Sequence, residues 1–266
     1  MNNANMISSA EIMHNLKTKF IGRKIHFLKD VTSTNDVAKR LAFEGAEEGS
    51  VVIAGSQLNG KGRGGREWFS PLGGIWLSII LRPKSGFSNA ALITLMAGIA
   101  VARVISRITK LKAALKWPND VIINGKKVCG ILAEMSGPFE NRFLVLGIGI
   151  NANIDSNTFP IELKVVATTL RSELRYDVNK VELIRLALEE LEGLYLQLTQ
   201  NSQGGKVILT EWKKLTNTIG AYVTFVTGDE IFKGQAVDVD EDGALILKLE
   251  NGSFKKFYSG DVSINY

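Results

Sequence analysis

Cysteine, histidine and proline are scarce in this chain. Of 266 residues one is cysteine, Cys129, and two are histidine, His14 and His26, both near the N-terminus. A lone thiol forms no intrachain disulfide and no cysteine-based zinc site, and most histidine-driven catalysis is excluded with it. Five prolines and the lack of any polar low-complexity tract argue against long disorder. The longest apolar run, residues 90–102, stops at Arg103. It falls short of the about 18 residues a bilayer span needs and reads as a buried core helix. The opening stretch MNNANMISSAEIMHNLK has no apolar h-region, so a cytoplasmic protein without membrane contact is expected. Arginine, lysine, aspartate, asparagine and the backbone remain to carry the chemistry.

What is present is ordinary in bulk: 45% hydrophobic and 22% charged residues, with a net charge of +5. That charge leaves anionic small molecules or acidic protein partners open and does not by itself imply nucleic acid. Ser8 and Glu11 make a capping box for a first helix over 10–17. Residues 25–28 read as a strand, and Ser33-Thr34-Asn35-Asp36 open a helix that ends near Gly45. Strands are expected at 50–57 and 74–83, a helix at 89–109, and a strand at 113–117 stopped by Pro118. Asn124-Gly125 marks a hairpin over 121–135, and 143–154 is apolar enough for a central strand covered on both faces. Helical periodicity returns at 179–199 and 206–216. From 219 onward, short strands and turn signals recur every about 8–12 residues, the pattern of a small β-barrel. Two domains are expected, 1–217 and 218–266. The second is too small for a large core of its own and must lean on the first.

The segment Gly60-Lys61-Gly62-Arg63-Gly64-Gly65-Arg66-Glu67-Trp68-Phe69-Ser70-Pro71 is the densest signal. Gly60, Gly62 and Gly65 satisfy G-x-G-x-x-G, but a dinucleotide site needs a helix starting there to hold pyrophosphate on its first amides. Here a strand follows, and the acidic residue expected about 20 positions on is missing. A P-loop fails too. After Gly55 and Gly60-Lys61, Gly62 stands where Ser or Thr should meet Mg²⁺, and again no helix follows. Two arginines on a glycine-rich loop suit an anion that orders the loop, because guanidinium pairs bidentately with phosphate or carboxylate. A solvated basic loop is the alternative, and Trp68 beside the arginines favours a site.

Five motifs in order now narrow the reading: Ser33-Thr34-Asn35 with Gln57, the GKGRGGREWFSP loop, Lys116-Trp117-Pro118-Asn119-Asp120, Gly125-Lys126-Lys127-Val128-Cys129-Gly130-Ile131-Leu132, and Gly147-Ile148-Gly149-Ile150-Asn151. In residue type and spacing, from about Phe27 to the C-terminus, the chain resembles the biotin protein ligases. The resemblance implies an α+β fold: a class II aminoacyl-tRNA synthetase-like catalytic domain with a mixed sheet, plus a C-terminal SH3-like barrel. It also implies a two-step reaction. Biotin and Mg²⁺-ATP give biotinyl-5′-AMP, and a lysine of a biotin carboxyl carrier domain then takes the biotin as an amide. Such chemistry needs positioning and cationic neutralisation, and neither histidine nor cysteine.

The same resemblance assigns residues. Ser33, Thr34, Asn35 and Gln57 are implied to hold the ureido ring, although a helix N-cap is the ordinary use of Ser33 to Asp36. Lys61, Gly62 and Arg63 resemble the family loop that meets biotin and adenylate; arginine is frequent where Lys61 stands. Arg63 is implied to meet phosphate and carboxylate, Arg66 the ATP phosphates, and Trp68 the valeryl chain unless it is a plain core tryptophan. Lys127 is implied to meet the biotin carboxylate and then the adenylate. It is expected on the strand face of Cys129, Ile131 and Ala133, where an ammonium is costly without an anion. Asn119 and Asp120 fit a type I turn and are implied to serve adenylate, lysine or metal. Gly130, Gly147, Gly149 and Asn151 are implied to allow close approach to the ligand, and no protein metal site is implied. Bifunctional members carry a winged helix-turn-helix before the Ser-Thr-Asn segment. The 32 residues ahead of Ser33 are too few for one, so no DNA is expected. Pairing of two copies through sheet edges stays open. The rival readings are a lipoate–protein ligase, which shares fold and adenylation chemistry, and a non-catalytic biotin-binding sensor. The loop and barrel argue against the first, and Arg63, Arg66 and Lys127 against the second.

Overall fold

The computed structural model describes residues 7–83 and 89–264, so the outermost residues of both expected domains lie outside it. In chain order, α1 (Ser9–Met13) precedes β1 (Ile25–Val31), α2 (Thr34–Phe43), β2 (Val51–Gln57), β3 (Ile75–Leu81), α3 (Ala90–Thr109), β4 (Ala114–Lys116), β5 (Asp120–Ile123), β6 (Lys126–Ser136) and β7 (Phe143–Ile150). Two short helices, α4 (Ile161–Val166) and α5 (Leu170–Leu174), lead to the longer α6 (Lys180–Gln200) and α7 (Gly204–Leu215). Five strands complete it: β8 (Tyr222–Thr227), β9 (Glu230–Val239), β10 (Leu245–Leu249), β11 (Phe254–Phe257) and β12 (Asp261–Ile264).

Strands β1 to β7 form one mixed sheet in the order β1-β2-β3-β7-β6-β5-β4. Only β1 and β2 are parallel. Every residue of β3 is buried, as expected of a central strand covered on both faces. One face carries α3, with α6 and α7 packed against it. By length and composition α3 could cross a membrane, yet 67% of its most apolar window is buried against the rest of the protein, as the run over 90–102 led one to expect. Arg103 of α3 holds the layer laterally, reaching Glu190 at 2.8 Å and Glu211 at 2.6 Å.

The other face is only half covered. Ala38 and Ala42 of α2 rest on Val52, Ile80 and Val145. Two residues further along the same face come Ser78 and Gly147, then Gly149 and Gly130, where α2 has already ended. The uncovered half of the face, bordered by the glycine-rich loop, becomes a cavity.

Several expectations change at the residue level. The capping box of Ser8 and Glu11 forms, but the first helix is Ser9–Met13 rather than 10–17, because His14 is extended and Asn15 takes φ 62°. The strand expected over 143–154 ends at Ile150. The hairpin turn is where it was expected, with Asn124 at φ 50° and Gly125 at φ 77°. The face assigned to Lys127 is corrected. Val121 lies opposite Cys129, yet Ile122 lies opposite Lys127, so Val128 is an extra residue, a β-bulge. Beyond a bulge the alternation shifts by one. Lys127 therefore shares its face with Gly130, whereas Val128, Cys129 and Ile131 join the core under α3.

Strands β8 to β12 form an antiparallel SH3-like sheet in the order β11-β10-β9-β8-β12. Its apolar side, with Val223, Phe225, Leu245, Leu247 and Phe257, is continuous with the core of the larger sheet. Trp117 is the joint. Its backbone N–H donates to Thr218 Oγ1 (2.9 Å), its indole N–H to Gly243 O (3.0 Å), and its ring lies 5.9 Å from that of Phe225.

The segment before β1 is tied to α6 by a buried carboxylate. Glu192 accepts the backbone N–H groups of Lys19 (2.5 Å), Phe20 (2.8 Å) and Ile21 (2.8 Å). Losing it would strand buried donors, which cost more than the bonds contributed. Glu192→Ala is expected to lower stability by about 3 kcal/mol, read from the shift in urea midpoint at unchanged slope.

Candidate active site

The cavity has a volume of about 400 Å³ and gathers residues from both sheets. Ser33, Thr34, Asn35, Gln57, Lys61, Gly62, Arg63, Arg66, Trp68, Asn119, Asp120, Lys127, Gly130 and Asn151, the residues singled out from sequence, all line it.

The glycine-rich loop is a small hairpin, not the start of a helix. Trp68 N donates to Gly60 O, Gly62 N to Arg66 O, and Lys61 bridges to Glu67. At its tip Gly64 and Gly65 take φ 63° and 76°, conformations that side-chain-bearing residues adopt with difficulty. The hairpin lays Trp68 across the cavity floor. A Cβ on Gly149 would sit 2.5 Å from Trp68 Nε1, and one on Gly130 would sit 2.7 Å from its ring. These glycines make room for the indole, and no hydrogen-bond partner meets its buried N–H.

One end of the cavity is a hydrogen-bonded network. Ser33 occupies the N-cap position of α2, but its side chain makes no capping bond and lines the cavity instead. Thr34 N donates to Gln57 Oε1 (2.8 Å), and Thr34 Oγ1 lies 3.0 Å from the same oxygen. Gln57 Nε2 donates to Ser70 Oγ (2.8 Å), which donates to Trp68 O (2.7 Å). Ser78 Oγ donates to Asn35 Oδ1 (2.6 Å) and lies 2.8 Å from Thr34 Oγ1. Asn35 Nδ2 donates to Glu134 Oε2 (2.6 Å).

The other end is cationic. Lys127 Nζ lies 2.6 Å from Asp120 Oδ1 and 4.9 Å from the centre of the Trp68 ring. The contact with Asp120 falls outside hydrogen-bond angles, so charge alone pairs that buried oxygen. Burial draws the Arg63 guanidinium below its usual range, while Asp261 and Asp120 pull the other way. Its bonds are long, 3.3 Å to Gly260 O and 3.5 Å to Asn119 Oδ1. Arg66 pairs bidentately with Asp261 at 2.8 and 2.9 Å, and Lys61 pairs with Asp36. Asn119 Nδ2 donates to Ile131 O and Asn151 Nδ2 to Thr168 O, so both amides are held by backbone.

Asp261, Ser78 and Glu134 went unnoticed in the sequence. Ser78 and Glu134 carried a signal, each being a polar residue inside an apolar strand run, IWLSIIL and GILAEM. Asp261 sits in a strand 195 residues from its partner Arg66, and nothing local marks it. No cluster of three or more His, Cys, Asp or Glu that could hold a metal occurs among the described residues.

A pocket with a neutral polar end and a cationic end, within a two-sheet α+β frame, is the arrangement that the resemblance to the biotin protein ligases implied. Residues 27–153 match the Biotin/lipoate A/B protein ligase family, and residues 218–264 match the Biotin protein ligase C terminal domain. The chain is 36% identical over 260 residues to the bifunctional ligase/repressor BirA of Bacillus spizizenii, covering 97% of this chain and 79% of that protein. It is 31% identical over 220 residues to the biotin--[acetyl-CoA-carboxylase] ligase of Paracoccus denitrificans, covering 81% of this chain and 90% of that one. A biotin protein ligase from Aquifex aeolicus, in complex with biotin and ATP, superposes with a TM-score of 0.78 at 31% identity, covering 91% of this chain and 99% of that one. The chain belongs to the biotin protein ligase family and is an enzyme of biotin ligation.

Cys129, behind the site, is fully buried, and burial pushes its thiol well above the ordinary range. The thiolate that alkylating agents attack is therefore scarce. Native protein is expected to resist iodoacetamide at pH 8 and to take up one equivalent once unfolded, as read by mass spectrometry.

Proposed function

We propose that the cavity forms biotinyl-5′-AMP from biotin and ATP and passes the biotin to a lysine of a biotin carboxyl carrier domain. The observation that carries this reading is the single cavity joining a neutral hydrogen-bonding end to a cationic end across the Trp68 floor. A ureido ring has two N–H donors and one carbonyl, and Ser33, Thr34 and Gln57, backed by Asn35, offer hydroxyl and amide partners. The aliphatic chain lies along Trp68, Gly130 and Gly149, which brings the carboxylate to Lys127 and Arg63.

There a carboxylate oxygen attacks the α-phosphorus, the bond to the β-phosphate bridging oxygen breaks, and pyrophosphate leaves. Lys127 and Arg63 neutralise the charge gathering on the non-bridging oxygens, and Arg66 exchanges Asp261 for the departing phosphates. Asn119 and Asn151 hold the adenylate side. In the second half, a neutral lysine amine of the carrier attacks the acyl carbon, AMP leaves and an amide forms. Mg²⁺ ordinarily binds through substrate phosphates, water and one or two carboxylates, and Asp120 is the carboxylate that fits. It would neutralise phosphate charge there.

Lipoate is the weaker candidate, because a dithiolane leaves the polar end of the cavity unsatisfied, and buried unpaired polar groups are costly. Reaction in the cytoplasm and pairing of copies through the outer strand β1 belong to the same proposal, since β4 already bonds to residues 216–218 on its outer side. Lys127→Ala would leave the buried carboxylate of Asp120 unpaired, so Lys127→Gln is the cleaner variant. It is expected to slow pyrophosphate release with biotin by about a hundredfold or more while the melting temperature holds. Pyrophosphate release with lipoate as fast as with biotin, or a Lys127→Gln rate within tenfold of wild type, would overturn the assignment.

A further inference from the structure

We infer that Glu134 is a positioning residue for the ring end of the cavity, acting through Asn35 and Ser78 without touching the ligand. This rests on the reading above, that Ser33, Thr34 and Gln57 receive the biotin ring.

An ionised carboxylate only accepts hydrogen bonds. Glu134 Oε2 at 2.6 Å therefore fixes which end of the Asn35 amide faces it: Nδ2 points to Glu134 and Oδ1 to Ser78. Asn35 Oδ1 has no hydrogen to give, so the Ser78 hydroxyl must spend its single hydrogen on that oxygen. The contact of Ser78 with Thr34, 2.8 Å, can then be bridged only by the hydrogen of Thr34. The other inward neighbour of that hydroxyl, Gln57 Oε1, is an acceptor as well. Either way the Thr34 hydrogen is used inside the protein, and Thr34 Oγ1 shows the cavity lone pairs alone. An acceptor at that wall suits a ring N–H.

The second carboxylate oxygen of Glu134 meets Lys39 Nζ at 2.7 Å, outside the cavity lining. The ion pair and the bond to Asn35 use different oxygens, so the two roles separate experimentally. Glu134→Gln replaces the obligate acceptor with an amide that can also donate, which lets Asn35 reverse. The Ser78 hydrogen then turns to Thr34, and Gln57 Oε1 is left as the one inward acceptor holding the Thr34 hydrogen. Ser78→Ala cuts the chain at its middle with little change of volume.

The test is steady-state pyrophosphate release with biotin and ATP varied separately, on the full chain, beside melting curves. Glu134→Gln is expected to raise the biotin KM about tenfold, the scale of a charge-assisted bond. Its ATP KM and kcat should stay within about twofold. Ser78→Ala should move the biotin KM in the same direction. Lys39→Gln should shift it no more than about twofold, because that partly exposed pair uses the other carboxylate oxygen and leaves the bond to Asn35 in place. Equal effects of Lys39→Gln and Glu134→Gln would show a mere ion pair and overturn the proposal. So would a parallel rise of the ATP KM, or an unchanged biotin KM in Glu134→Gln. If Glu134→Gln fails to fold, Ser78→Ala decides alone: an unchanged biotin KM there overturns it. Failure of the wild-type chain to bind biotin by calorimetry would instead remove the reading of the cavity on which this rests.

Discussion

One extra residue in a strand governs where charge can sit in this protein. Without Val128 as a bulge, strict alternation would put the Lys127 ammonium on the face of Cys129 and Ile131, against the apolar underside of α3. Burying a cation there without an anion would be prohibitive. The bulge turns Lys127 to the opposite face, beside Gly130, within reach of Asp120 and over Trp68. It does so without disturbing the register of β6 with β7, which holds unbroken from Cys129 to Ser136. The core on one face and the cationic site on the other are thus settled by the same irregularity.

The rest of the cavity follows from incomplete coverage. Helix α2 shields the apolar part of the sheet face, and its first turn reaches Ser78 and Gly147 but not Gly149 and Gly130. Its first residues become a wall, and the glycine-rich hairpin supplies the floor. The cavity therefore needs no large departure from a regular sheet. It requires small residues at three strand positions, Gly130 and Gly149 making room for the Trp68 ring and Gly147 for the Asn35 amide. Its last wall comes from the second sheet, through Asp261, Val262 and Ser263.

Much of this was legible in the residues. Asn124-Gly125 placed the hairpin, the missing helix after Gly65 excluded both nucleotide-loop readings, and the ordered motifs identified the family. The bulge at Val128 was not legible, because hydrophobic alternation is blind to an inserted residue when both neighbours, Val128 and Cys129, are apolar. The shortened α1 was missed because its end depends on the backbone of Asn15, not on hydrophobic spacing. The pairing of Arg66 with Asp261 depends on how two sheets meet, and no local pattern encodes it. Glu134 was visible as a charge within an apolar strand, but its meaning needed the orientation of the Asn35 amide.

The pairing of Arg66 with Asp261 carries a thermodynamic consequence. Both side chains are more than half exposed, so water and salt already weaken their attraction. Any polyanion that enters the cavity competes with Asp261 for the same guanidinium. By linkage, whatever strengthens the hold of β12 on the loop must weaken the hold of the loop on that anion, and by the same factor. Binding of an anion at Arg66 and the contact of β12 with the loop are thus coupled, while Trp117 and the shared core keep the C-terminal sheet in place.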